Sequence, residues 1–311
     1  MQYANAVYGG ACMITALPKC LRPLFGHLIA IPAKYHLAAC QKILVPVVKE
    51  RISLYSSNTE KQNIPDDALQ WMIERCAKFG CGQLAPEKIA QRLLILNLVS
   101  IYTLAYAFTN VIVDLFGNES KDDFIAGLRD ECDRVATEQD GLSSVGAINS
   151  LYRIDSTIRE SMRLSAFGII SLPRIVGAPG GLDIGDGIVV PPGVRLGVPS
   201  QAIHRDAANY QDPLQFDAFR FSSRFEHQDQ QAYQTAKQKL SVDIDKTFLT
   251  YGYGKHACPG RWFASQVMKQ ALAYVVQNYD VKLAGSMPER QALLNMILPP
   301  TSTNISIRRR L

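Results

Sequence analysis

The sequence lacks the devices that staple small secreted or metal-bound proteins. Its seven cysteines (Cys12, Cys20, Cys40, Cys76, Cys81, Cys132 and Cys258) are an odd number with no CxxC spacing. That argues against a disulfide framework or a zinc knuckle and points to a reducing compartment. The first residues, MQYANAVYGGACMITALPKC, have no basic start followed by a sustained apolar run, so they do not read as a secretory signal. No internal repeat, low-complexity tract or obvious linker divides the chain, and no flavin or dinucleotide fingerprint appears. Charge of one sign is not concentrated either. The net charge is +5, and lysines and arginines are dispersed apart from the run Arg308, Arg309, Arg310. This is a weak basis for nucleic-acid binding, which needs a basic face with aromatic platforms, and it suits an acidic protein partner or anionic lipid headgroups.

What is present is a globular composition, 47% hydrophobic and 20% charged over 311 residues, enough to bury a sizeable core. Apolar residues recur at spacings of three and four in 41–55, 65–79, 121–139 and 148–167, and a long apolar stretch opens near Pro86. Asp66 after Pro65, and Asp122 with Asp123, fit helix starts. After residue 170 the chain turns to Gly, Pro and β-branched residues, which predicts short strands joined by turns. Residues 222–246 read as a polar surface meander. A helix is predicted from Pro259 to about Tyr279, and the last residues, NMILPPTSTNISIRRRL, read as a terminal hairpin. The expected fold class is mainly α with a small β part (α+β), in one domain: helices over 1–84, a long central helix and its followers over 85–170, and sheet, meander, loop and closing helix over 171–311.

Residues 93–113, LLILNLVSIYTLAYAFTNVIV, run for 21 residues without a charge. That length can cross a bilayer. The same pattern also describes the central helix of a large soluble core, and Asn97, Ser100, Thr103, Thr109 and Asn110 interrupt the stretch in favour of that reading.

In YGYGKHACPGRW (251–262), Gly252 and Gly254 permit backbone angles closed to other residues and leave no side chain in front of a flat ligand. Cys258 stands just ahead of the helix expected to start at Pro259, with Lys255 and His256 beside it. Such a setting favours a thiolate that binds soft metals. Taken alone, a single cysteine is also an ordinary buried small side chain. A zinc site or a cysteine–histidine nucleophile finds no further partners nearby.

The stretch YGYGKHACPGR closely resembles the haem-binding signature of the cytochrome P-450 family. Tyr251 stands where that signature usually has Phe, and Gly254, Cys258 and Gly260 match. The resemblance implies haem b, with Cys258 as the axial iron ligand and His256 where a basic residue meets a haem propionate. Further elements follow in family order. Glu160 and Arg163 in TIRESMRL, with Arg220 in FDAFRF, resemble the Glu-x-x-Arg pair and its partner arginine, which lock the fold around the cysteine pocket. Arg174 in LPRIV resembles a propionate-binding arginine, and AIHRD (202–206) matches a common stretch with a structural role. The apolar segment then corresponds to the long helix above the haem, where Ser100 and Thr103 fit the family's proton-delivery region and Tyr102 replaces its usual acid.

The resemblance further implies an oxidoreductase of the haem-thiolate monooxygenase type. It would insert one oxygen atom of O2 into an apolar small molecule, with electrons from NADPH–cytochrome P-450 reductase. The style of the motifs is most similar to fungal members of secondary metabolism, and the expected place is the cytosolic face of the endoplasmic reticulum membrane. Family members are longer. The expectation is therefore of an N-terminally truncated member that starts near the family's sixth or seventh helix and lacks the anchor, early strands and substrate-covering loop. A truncated relative without catalysis, acting as a partner, is the rival expectation.

Overall fold

The computed structural model describes residues 2–57, 64–223, 239–285, 289–293, 295–300 and 303–310. They form two compact units, Met1–Tyr102 and Thr103–Leu311.

The first unit contains α1 (Gln2–Ala16), α2 (Arg22–Ile29), α3 (Ile31–Ser57), α4 (Ala68–Ala77) and the start of α5 (Pro86–Phe116). Its core gathers Val48, Leu69, Ile73, Cys76, Ile89 and Ala90, the inward stripes of α3, α4 and α5. The helix start expected at Asp66 falls one residue later. Asp67 is extended (φ −136°) and accepts from the Gln70 amide at 2.9 Å, which makes it the cap. The Asp66 carboxylate instead accepts from the Trp71 indole.

The second unit holds the rest of α5, then α6 (Lys121–Glu138), α7 (Val145–Asn149), α8 (Tyr152–Leu164), α9 (Ser200–His204) and α10 (Arg261–Asn278). Its core runs through Val111, Leu115, Leu128, Val135, Ile154, Ile158, Leu272 and Val276. The helix expected over 148–167 is two. The chain breaks at Ser150 and Leu151 because Glu131 of α6 takes the amides of Arg153 (2.8 Å) and Ile154 (3.0 Å), capping α8 from outside its own segment. The apolar helix α5 is buried at Ile89 and Ala90 near its start and at Asn110, Val111 and 113–116 toward its end, whereas Ile95, Leu96, Val99 and Ile101 between them are about half exposed, so the burial expected of the uncharged stretch 93–113 holds only toward its C-terminus. By length and composition α5 is also able to cross a membrane.

Among the described residues, eight short strands pair antiparallel in twos. β1 (Ser171–Ile175) pairs with β4 (Arg195–Val198), and β2 (Leu182–Asp183) with β3 (Val189–Val190), as the Gly- and Pro-rich stretch predicts. The closing hairpin is corrected. β8 (Asn304–Arg309) pairs with β5 (Tyr279–Ala284), directly after α10, while β6 (Ala292–Leu293) and β7 (Met296–Ile297) form a small hairpin between them. The register sets Val281 opposite Ile307 and Leu283 opposite Ile305. Of the predicted meander, residues 224–238 lie outside the described residues.

Candidate functional site

The site is built on the loop before α10. Gly252 (φ 76°) and Gly254 (φ 64°) occupy left-handed backbone that residues with a β-carbon enter at a cost. They let the chain turn back, so that the Cys258 amide donates to the Tyr251 carbonyl at 2.8 Å. Cys258 is a free, half-buried thiol. A β-carbon on Gly260 would stand 3.9 Å from its sulfur. Pro259 is not the first helical residue as expected: Gly260 is the cap and α10 starts at Arg261, whose guanidinium donates to the Cys258 carbonyl at 2.8 Å. Tyr251 buries its hydroxyl with no hydrogen-bond partner among the described residues. Burial first, and the neighbouring Cys258 second, push its phenol well above the ordinary range.

Two contacts hang this loop on the helices behind it. The Leu249 amide donates to His204 Nε2 at 2.8 Å, and Thr250 Oγ1 donates to the Met162 carbonyl of α8 at 3.1 Å. His204 is buried and stacks on Phe248 with ring centroids 5.6 Å apart. Burial is the main cause that lowers its pKa to about 4. The Arg159 guanidinium lies 3.9 Å over the other ring of that stack, Phe248. The structural role expected for AIHRD is thus carried by His204. Beneath the loop, buried Asp155 of α8 accepts from the Ser241 amide (2.6 Å) and hydroxyl (2.9 Å), with Lys269 of α10 at 3.7 Å.

Glu160, Arg163 and Arg220 come together as the motif order implies. Arg163 donates to both Glu160 oxygens at 2.7 and 2.8 Å, with both side chains fully buried, and Arg220 Nε donates to Glu160 Oε1 at 2.9 Å. The arginines spend their remaining donors on main-chain carbonyls. Arg163 reaches those of His204 and Pro213, and Arg220 those of Gln211 and Gln215. One buried carboxylate thereby organises α8, the end of α9 and the strand-free chain through Arg220.

An open cavity of about 360 Å³ lies against the loop, lined among others by Phe167, Leu172, Arg174, Gly252, His256 and Met296. Arg174 and His256, both expected at one ligand, share this cavity; Cys258 itself is not a lining residue and follows His256 by two positions. Leu172 sits at φ 55° where β1 is bulged against β4, a strained conformation on the cavity wall. The hydroxyls expected to handle protons have different partners. Ser100 donates to Leu96 O of its own helix at 2.8 Å, and Tyr102 donates to Asn5 of α1. Thr103 is the first residue of the second unit.

A family model described as Cytochrome P-450 matches residues 12–307. The chain is 39% identical to the cytochrome P-450 monooxygenase gloP of Glarea lozoyensis, with 99% of this chain and 59% of that protein covered. It is 41% identical to the monooxygenase htyF of Aspergillus rugulosus over 90% of this chain and 42% of that protein. To okaG of Penicillium ochrochloron it is 32% identical, with coverage of 99% and 62%. The chain therefore spans about half the length of the curated relatives it matches.

Proposed function

Because the chain belongs to the cytochrome P-450 family, we propose that it acts as a haem-dependent monooxygenase that inserts one oxygen atom of O2 into an apolar small molecule, in fungal secondary metabolism. The observation that carries this reading is the Cys258 loop: a free thiol on a chain reversal made by two left-handed glycines, pinned to the buried Glu160 cluster through His204 and Thr250. The fungal sources of the relatives support the metabolic setting.

The family's cofactor is haem, and the residues present fit it. Apart from its own chain neighbours, no heavy atom of the described residues lies within 4 Å of where a β-carbon on Gly254 would be, which leaves room for a plane to approach there. Two cationic or hydrogen-bonding side chains, Arg174 and His256, line the adjoining cavity, where haem propionates would find partners. Cys258 would hold the iron. Haem bound there supplies the activation of dioxygen, with the thiolate donating charge toward it. The chain's own contribution is placement. The Tyr251 carbonyl and Arg261 hold both main-chain groups of Cys258, and Leu172 and Phe167 add apolar side chains to the cavity wall. Proton handling by Ser100, Tyr102 and Thr103 is proposed on the family resemblance alone. Electrons would come from NADPH–cytochrome P-450 reductase, since the sequence carries no dinucleotide fingerprint of its own. The cytosolic face of the endoplasmic reticulum membrane is proposed as its place on the motif resemblance alone.

The test is the carbon monoxide difference spectrum of the purified, haem-reconstituted and reduced protein. A thiolate-type Soret shift is expected. Its absence would favour the rival in which the chain binds no haem and acts as a partner.

A further inference from the structure

Asp114 lies near the C-terminal end of α5 and is only 3% exposed. A buried carboxylate must be met on both oxygens. One oxygen accepts from Ser161 at 2.7 Å and Ser165 at 3.0 Å, at the end of α8. The other takes Arg290, whose Nε also donates to Asn110 Oδ1 at 2.9 Å. Arg290 immediately precedes Gln291, whose carbonyl accepts the Leu298 amide at 2.8 Å and closes the β6–β7 hairpin.

That hairpin is one wall of the cavity beside the Cys258 loop, to which it contributes Asn295 and Met296. Its inner edge is stitched to residues 167–170. Asn295 Oδ1 accepts the Ile170 amide at 2.8 Å, Asn295 Nδ2 donates to the Ile170 carbonyl at 2.7 Å, and the Asn295 carbonyl accepts the Ile169 amide at 3.0 Å. Ile297 then donates to the Phe167 carbonyl at 3.3 Å. Strands of two residues have little stability of their own, and Ile297 is the one buried apolar side chain among the described residues of β6 and β7. In contrast, α5 and α8 already pack through Val111, Leu115, Ile158 and Met162 and do not depend on an ion pair to stay together.

We propose that Arg290 is a positioning residue of the cavity: by joining Asp114 and Asn110 at once, it fixes the outer end of the β6–β7 hairpin and so sets the distance between Met296 and the Cys258 loop. The consequence for ligand fit rests on the reading of this cavity as the haem and substrate site. The positioning itself does not.

Arg290→Lys keeps the charge beside Asp114 but cannot serve both partners. Amide hydrogen exchange on the full chain without added haem should quicken at least tenfold at Ile169, Ile170 and Ile297, with α8 and α10 unchanged. Asn110→Ala, which removes the Nε contact and, within α5, the Nδ2 bond to the Tyr106 carbonyl, but leaves Arg290 on Asp114, should give about a threefold change at the same amides, and it carries the test if the lysine variant does not fold. Unchanged exchange at these three amides overturns the proposal, as does an acceleration spread equally over α8 and α10. In haem-loaded protein, the affinity for phenylimidazole should change at least threefold in Arg290→Lys with the thiolate spectrum retained. A lost spectrum in the unsubstituted protein would instead count against the functional reading, while the exchange result would stand.

Discussion

Glu160 and Arg163, one helical turn apart on α8, form a bidentate pair at 2.7 and 2.8 Å with neither side chain reaching solvent. Two opposite charges taken out of water are held only while each remains paired, because removing one strands the other in a medium that cannot hydrate it. Arg163 also donates to the His204 and Pro213 carbonyls, and Glu160 Oε1 accepts from the Asp217 amide and the Arg220 guanidinium, so the pair fixes the path of residues 204–220 as well as the helix.

Glu160→Ala is therefore expected to destabilise the protein by about 3–5 kcal/mol, the usual cost of breaking a buried pair. Arg220→Ala should cost less, about 1–3 kcal/mol, since its side chain is 14% exposed and water replaces part of what is lost. Chemical denaturation of both variants checks the order. An equal loss in the two would contradict the view that Glu160 and Arg163 form the inner pair.

Cys258→Ser separates fold from function. The Cys258 hydrogen bonds run through its amide and carbonyl, to Tyr251 and Arg261. Serine keeps these, so the unfolding free energy should move by no more than about 0.5 kcal/mol. The thiolate-type spectrum, in contrast, should disappear. A variant that retains the spectrum would remove Cys258 as the iron ligand.

Much of this was readable in the chain because local spacing encodes it. Glu160 and Arg163 share a face by their interval of three, the glycines announce a reversal before Cys258, and the amphipathic stripes of α4 and α6 mark their own extents. The break between α7 and α8 was not readable, since its cause, Glu131, lies on another helix. The same holds for the pairing of β5 with β8 and for Asp114 with Arg290, which are 176 positions apart. No period or local pattern reports a partner at that separation. Helices α1 and α2 fall in the 1–84 expected to be helical, but their bounds are not marked in the sequence: apolar and nearly uncharged over most of their length, they display no clear polar face to set a helical period.

Asp67 offers a test within the first unit. It caps α4 through the Gln70 amide and also pairs with Arg51 at 3.1 Å, and its side chain is 44% exposed. The ion pair opens to solvent on its Asp67 side, with Arg51 13% exposed, so it should contribute little and the cap is the larger effect. Asp67→Asn should then cost a few tenths of a kcal/mol and Asp67→Ala about 1 kcal/mol. If the asparagine variant proved as unstable as the alanine one, the Arg51 pair would be the main contribution instead.

His204 gives the protein a defined acid sensitivity. Burial is the principal reason its pKa falls from 6.5 to about 4, with the nearby Arg163 and Arg159 charges acting in the same direction and Asp245 opposing. Between those two pH values the unfolded chain binds a proton that the folded one refuses. Stability is therefore fully present above pH 6.5, is lost as pH falls toward 4, and levels off below that, where the folded protein protonates too. The gap between 6.5 and about 4 corresponds to a loss of roughly 3 kcal/mol. Protonation also removes the Nε2 acceptor of the Leu249 amide, so the anchor of the Cys258 loop is the contact given up. Buried Asp114, Glu131 and Asp155 have raised pKa values, chiefly from desolvation, and favour the folded state at low pH. A single stability curve therefore mixes both signs. His204→Gln retains an acceptor for Leu249 but does not titrate, and subtracting its curve from that of the unsubstituted protein isolates the histidine. The difference should grow from pH 6.5 down to about 4 and then stay flat. Two parallel curves across that window would mean that His204 is hydrated, and its buried, neutral seat behind the loop would have to be abandoned.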